Sequence, residues 1–234
     1  MRLEEVSFRY SRRGDWVLLE VDSGIEAGEI VVVRGRNGAG KSTLLQLIAG
    51  VLNPTRGRIV DRPARIGWVP ERFPAEQPFT VASYLDAMAA FAGANSPEIW
   101  LERLGLVPFR TVRLGELSKG TAQKVGLAQA LIAAPDLLIL DEPWEGLDAA
   151  ARDLVPGIVA ELTERGAAVL VSDHRGETAR LPGATTWTVE SAHVTVDRPV
   201  GEAPAWVIEV SADEGPGAVA AIKAAGHQVL RVRS

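Results

Sequence analysis

Apolar residues along this chain fall into short runs separated by polar turn pieces, and the spacing inside the runs changes twice. Residues 2–10, 16–21 and 29–34 read as strands, parted by the turn strings SRRGD and EAG. From Lys41 the period becomes helical, with Leu44, Leu47, Ile48 and Val51 on one stripe and Gly50 and Asn53-Pro54 as the stop. Residues 57–61 and 65–69 read as short strands. Over 72–117 the texture differs: Pro74, Pro78, Pro97 and Pro108 punctuate two predicted helices, 81–92 and 97–104, which together form an inserted helical subdomain.

Beyond it the chain alternates again. Residues 120–133 predict a helix, 137–140 a buried strand, 148–165 a helix that Pro156 and Gly157 are expected to bend or interrupt, and 167–171 another buried strand. Short, fully apolar strands alternating with helices predict an α/β fold whose sheet is covered on both faces. The string PVGEAP at 199–204 reads as a linker. After it, 206–210, 217–225 and 229–232 predict a small βαβ-like appendage. The expected organisation is a main domain over 1–198 and a small accessory element over 199–234.

Composition narrows the classes. A net charge of −5 gives no strongly basic field for nucleic acid, so no nucleic-acid partner is expected. There is no cysteine, hence neither disulfide nor thiolate metal site. The start, MRLEEV, does not read as a secretory signal. Apolar runs such as 30–33 and 137–140 are far shorter than the roughly 20 residues of a membrane helix, so any membrane contact is expected to run through a partner.

Chemistry enters at residues 35–42, GRNGAGKS, which match G-x-x-x-x-G-K-[ST] between a predicted strand and a predicted helix. Glycine lets the backbone wrap closely round phosphate oxygens. Loop N–H groups and the helix N-terminus then face the anion. Asn37, Gly38, Ala39, Gly40, Lys41, Ser42 and Thr43 are the candidate nucleotide contacts, with Lys41 on the β- and γ-phosphates and Ser42 on Mg²⁺. Residues 137–143, LLILDEP, deliver two carboxylates at a strand's C-terminal end. Asp141 is the candidate Mg²⁺ ligand and Glu142 the candidate general base. Adjacent strand residues point to opposite faces, which would separate the two roles. To this point the chain could be any P-loop nucleoside triphosphatase, with Mg²⁺ as the expected metal and ATP named only by the resemblance that follows.

Residues 117–121, LSKGT, stand before a helix and ahead of Asp141, and resemble the LSGGQ signature of ATP-binding cassette (ABC) ATPases. The other landmarks follow in order: VPE at 69–71 for the Q-loop, EGLD at 145–148 for the D-loop, and SDH at 172–174 for the switch histidine. Tyr10 stands where an aromatic stacks on adenine, with Trp16 as a rival platform. The resemblance covers roughly residues 1–195. It implies an ABC-type fold: a mixed sheet core with an N-terminal antiparallel β subdomain and an inserted helical subdomain.

The resemblance also implies roles. Ser118 and Gly120 would complete the nucleotide pocket of a second cassette, so that ATP is sandwiched head to tail in a homodimer or a heterodimer. His174 would contact the γ-phosphate, and Glu71 would contact Mg²⁺ or its water. The function implied is an ATPase that powers a membrane transporter with a separate transmembrane permease, at a cytoplasmic site on the inner face of the cell membrane. The alternative is an ABC-type ATPase with no membrane partner. A P-loop kinase would leave Ser118, Gly120 and His174 unexplained. Four departures stand out: Lys119 for Gly and Thr121 for Gln in the signature, Glu71 for Gln, and Glu145 where Ser or Ala is usual. His193, His227, Trp68, Trp100, Trp144, Trp187 and Trp206 carry no motif and are expected to be structural.

Overall fold

The computed structural model describes residues 1–198, apart from Asn95, Gly146, His174, Arg175 and the side chain of Glu177. The expected appendage over 199–234, with Trp206 and His227, and the expected switch residue His174 lie outside the described residues. These fall within one compact unit, Met1–Pro199.

The chain opens with β1 (Arg2–Phe8) and β2 (Leu18–Gly24), which pair antiparallel. Strict alternation would put Leu3 and Val6 on opposite faces, yet both are buried. The register shifts between them, with Glu5 at φ 51°, so a bulge returns the apolar side chains to one face. Next come β3 (Ile30–Arg34), α1 (Lys41–Ala49), β4 (Arg56–Val60) and β5 (Ile66–Val69). β4 pairs with the other edge of β1 and completes a three-stranded antiparallel sheet.

The inserted subdomain holds α2 (Val81–Ala92) and α3 (Glu98–Arg103), followed by 3₁₀ turns at Val107–Phe109 and Leu114–Glu116. α2 starts at a reciprocal cap: the Thr80 hydroxyl accepts from the Ser83 N–H, and the Ser83 hydroxyl accepts from the Thr80 N–H. α4 (Lys119–Ile132), β6 (Leu137–Leu140), α5 (Ala149–Glu164), β7 (Ala168–Ser172), β8 (Thr185–Glu190) and β9 (His193–Asp197) follow. The main sheet has the order β5-β6-β7-β3-β8-β9, parallel except for the antiparallel edge strand β9.

The pleat divides the core. Val32, Leu138, Leu140, Val169 and Val171 face one way, onto Leu85, Leu101, Val125, Leu131 and Val159 of α2–α5. Val31, Val33, Leu137, Ile139 and Leu170 face the other, onto Leu44, Leu47 and Ile48 of α1 and the inner side of β1 and β2. Each such side chain, fully buried, contributes about 1.5–3 kcal/mol.

One expectation changes and one hairpin is new. α5 runs through Pro156 and Gly157 without interruption. Proline removes one helical donor, but Val155, Ile158, Val159 and Leu162 are buried on both sides of it and hold the helix in place. The hairpin β8–β9 was not anticipated. Its signal is the alternation of buried Thr185, Trp187 and Val189, and its turn is Ser191-Ala192, both at positive φ (50° and 68°). That conformation usually draws Asn-Gly, so the turn is silent in the sequence.

Candidate active site

Every parallel strand of the main sheet points its C-terminal end the same way, and the candidate residues collect at that end. β3 runs into the loop that delivers Gly35–Ser42 to the start of α1. Gly35 and Gly40 are required by geometry. A Cβ on Gly35 would stand 2.6 Å from the Val189 carbonyl oxygen, and Gly40 sits at φ 105° against Val17. α1 has no side-chain cap at Gly40, so its first-turn N–H groups are left to an incoming acceptor. Lys41 is buried, and its Nζ donates to the carbonyls of Gly35 (3.0 Å) and Arg36 (3.3 Å). The ammonium is thus curled into its own loop.

Asp141 and Glu142 follow β6 immediately. Their separation comes from a turn and not from the pleat expected above: β6 ends at Leu140, and Glu142 adopts φ 49°, a left-handed conformation that costs a non-glycine residue about 1–3 kcal/mol. Ser172, at the end of β7, organises both. Its hydroxyl donates to Asp141 Oδ1 at 2.6 Å and accepts the Glu142 N–H at 2.9 Å. Glu142 Oε1 stands 3.9 Å from Lys41 Nζ, with both side chains about nine-tenths buried. In such a setting an ion pair is screened far less than at the surface.

Other candidates are brought to the same loop, or are not. The Tyr10 hydroxyl shares a 2.9 Å hydrogen bond with Thr43 Oγ1, and the ring of Phe8 meets Tyr10 edge-on. Tyr10 remains two-thirds exposed. The rival Trp16 is engaged elsewhere, with the guanidinium carbons of Arg9 and Arg56 4.6 and 5.1 Å from its ring centre. Asn37 and Gly38 are exposed at the loop tip, Ala39 and Ser42 are half-buried. Glu71 is exposed two residues beyond β5, at the same end of the sheet as Asp141.

Ser118 caps α4, accepting the Thr121 N–H at 3.2 Å and sharing a 2.8 Å hydrogen bond with the Thr121 hydroxyl. It is exposed, Gly120 is half-buried, and no described hydrogen bond joins either to residues 35–43. The predicted signature therefore faces outward from its own chain. Asp173, beside the undescribed His174, is buried and accepts both the Thr178 N–H (2.8 Å) and hydroxyl (3.0 Å). Arg34 Nη2 also donates to that hydroxyl.

Sequence reasoning missed Gln123. It is buried in α4, donates to the Pro70 carbonyl at 2.9 Å and accepts the Phe73 N–H at 3.3 Å, so it holds the segment around Glu71 from both sides. Phe73 packs on Gly126 one turn further on, where a Cβ would stand 2.9 Å from its ring. A buried amide within an otherwise small and apolar helix face was the available signal.

The fold and this convergence define a P-loop nucleoside triphosphatase. The ABC transporter family matches residues 18–145. The zinc import ATP-binding protein ZnuC of Cereibacter sphaeroides is 39% identical over 70% of this chain and 69% of its own length. A solved ATP-binding subunit of an ABC transporter superposes with a TM-score of 0.76 at 27% identity, over 84% of this chain and 89% of its own. The ATP-binding cassette MJ0796, solved as a dimer in a post-hydrolysis state with ADP and Pi, gives 0.70 at 25% identity, over 84% and 97%. The chain belongs to the ABC transporter family. It is an ATP-binding and ATP-hydrolysing cassette that powers membrane transport.

Proposed function

We propose that this cassette binds MgATP in the loop ending at Lys41 and hydrolyses it within a head-to-tail pair of cassettes attached to a separate transmembrane permease. The observation that carries the reading is the 3.9 Å approach of Lys41 to Glu142, with Ser172 fixing Asp141 and Glu142 beside them. Lys41 leaves its loop carbonyls for the β- and γ-phosphates, while Asn37, Gly38, Ala39, Gly40 and Thr43 line the phosphate path. Ser42 and Asp141 fit a Mg²⁺ ion, a hydroxyl and a carboxylate being the hard oxygen donors that ion takes. Glu142 accepts a proton from the attacking water. His174 reaches the γ-phosphate, Glu71 contacts the metal's water, and Tyr10 stacks on the base once its hydroxyl leaves Thr43.

Ser118 and Gly120 face outward because their ligand is the γ-phosphate held by the other cassette. ATP then favours the closed pair, since its terminal phosphate touches both chains only there, and a ligand shifts an equilibrium only through such a difference. Either a homodimer or a heterodimer satisfies this geometry. No helix among the described residues is long and apolar enough to cross a membrane. The cassette would work at the cytoplasmic face of the membrane, and the zinc import named for ZnuC makes a metal ion the favoured cargo class.

Glu142→Gln tests the core of this reading. The amide keeps the size and loses the basicity, so ATP binding is retained while single-turnover hydrolysis slows by about 10²–10⁴. The variant should accumulate as an ATP-bound dimer on a sizing column. Unchanged turnover would remove Glu142 from its role.

A further inference from the structure

Lys119 sits between the two residues read as the outward phosphate contacts, and nothing above gives it work. Its position is electrostatically unfavourable. It is the first residue of α4, where the helix dipole already presents positive potential, so an ammonium there calls for a nearby anion. Glu145 supplies one, with its Oε1 3.2 Å from Lys119 Nζ. The two positions where this chain puts a charge in place of a small residue of the family pattern are therefore each other's partners.

A second pair lies five residues along α4, where Lys124 Nζ is 2.7 Å from Asp148 Oδ2. The two pairs differ in kind. Asp148 is committed to the cap of α5, its other oxygen accepting the Ala151 N–H at 2.8 Å, and Lys124 is mostly covered. The Lys119–Glu145 contact is longer, and the lysine side chain is nearly half exposed. One pair anchors the loop; the other can exchange.

We propose that Lys119 is a phosphate-binding cation for the nucleotide held by a second cassette, and that Glu145 is its counter-ion while the cassettes are apart. The inference rests on the head-to-tail reading of Ser118 and Gly120. A triphosphate presents several negative charges to Lys119, against one on Glu145, so closure exchanges the weaker ion pair for the stronger. Glu145 does not touch the nucleotide. It keeps the outward face near neutral in the open cassette and sets how readily that face closes.

The test measures dimer Kd with MgATP by sedimentation in the Glu142→Gln background, with each variant's own monomer affinity for ATP recorded alongside. Lys119→Ala should raise Kd about tenfold. Glu145→Ala should lower it by up to about fivefold, because the competing carboxylate is gone. The double variant should match Lys119→Ala, and Lys124→Ala should stay within about twofold of the parent. If Glu145→Ala weakens the dimer together with Lys119→Ala and Lys124→Ala, the pair merely props the loop and the proposal fails. It fails equally if Lys119→Ala leaves Kd unchanged while Ser118→Arg abolishes dimers. Dimers that persist in Ser118→Arg would instead remove the head-to-tail reading beneath it.

Discussion

Ser172 concentrates what single residues contribute here. Fully buried at the end of β7, it ties together two consecutive residues of the neighbouring strand end, one through its proton and one through its lone pair. Without it the Glu142 N–H is left buried with that acceptor lost, which costs about 1–3 kcal/mol, and the turn at φ 49° loses a hydrogen bond that holds it. Ser172→Ala should therefore lower kcat by about tenfold to a hundredfold through misplacement of Glu142, with ATP affinity nearly unchanged. Steady-state kinetics beside equilibrium nucleotide binding check this, and equal losses in both would argue for general unfolding of the site. The phosphate loop and the Asp141-Glu142 pair were legible in the sequence because each is a contiguous string with a fixed chemical reason. Ser172 as organiser and Gln123 as clamp were not, because their partners lie far along the chain and only the sheet order and the α4 packing bring them together.

Elements were legible wherever apolar period and end signals agreed. α2 and β6 have the bounds that the sequence predicts, α2 because Thr80 and Gly93 mark its ends and β6 because four consecutive apolar residues are bracketed by polar ones. β8 and β9 escaped because a Ser-Ala turn carries no turn signature, whereas α5 was legible and only the interruption expected at Pro156 and Gly157 is missing, the long apolar stripe outweighing the proline. The start of α5 offers a test with a definite sign. The hydrogen bond from Lys124, and next the Ala151 N–H, hold the Asp148 carboxyl below the usual carboxylate range. A group depressed on folding stabilises above its unfolded pKa, about 3.9, and that contribution is lost as pH falls through the folded value. Asp148→Ala should thus cost about 0.5–2 kcal/mol near neutral pH, the usual loss for a removed helix cap, and the gap to the parent should narrow below about pH 4. Urea titrations at two pH values measure it; a gap that widens in acid would contradict the assignment.

At the scale of the whole molecule, α4 links the face proposed to meet a second cassette to the inserted subdomain. α4 begins at the outward signature, is bonded through Gln123 to the segment around Glu71, and packs on α2 and α3 across the shared core. A change in what Ser118 touches would therefore be passed to the inserted subdomain, because packed cores shift between discrete arrangements and do not deform smoothly. That subdomain also carries apolar side chains that the described chain leaves uncovered: Phe91 at the end of α2 is 90% exposed and Ile99 in α3 is 57% exposed. If the permease docks there, Phe91→Asp should leave the fold and the ATP affinity of the separate cassette within error, since the side chain has almost no burial to lose. The same variant should fail to pellet with membranes that hold the permease, while the parent pellets with them. Retention of Phe91→Asp and Ile99→Asp on such membranes would move the docking face elsewhere on the cassette, and with it the route by which ATP closure reaches the permease.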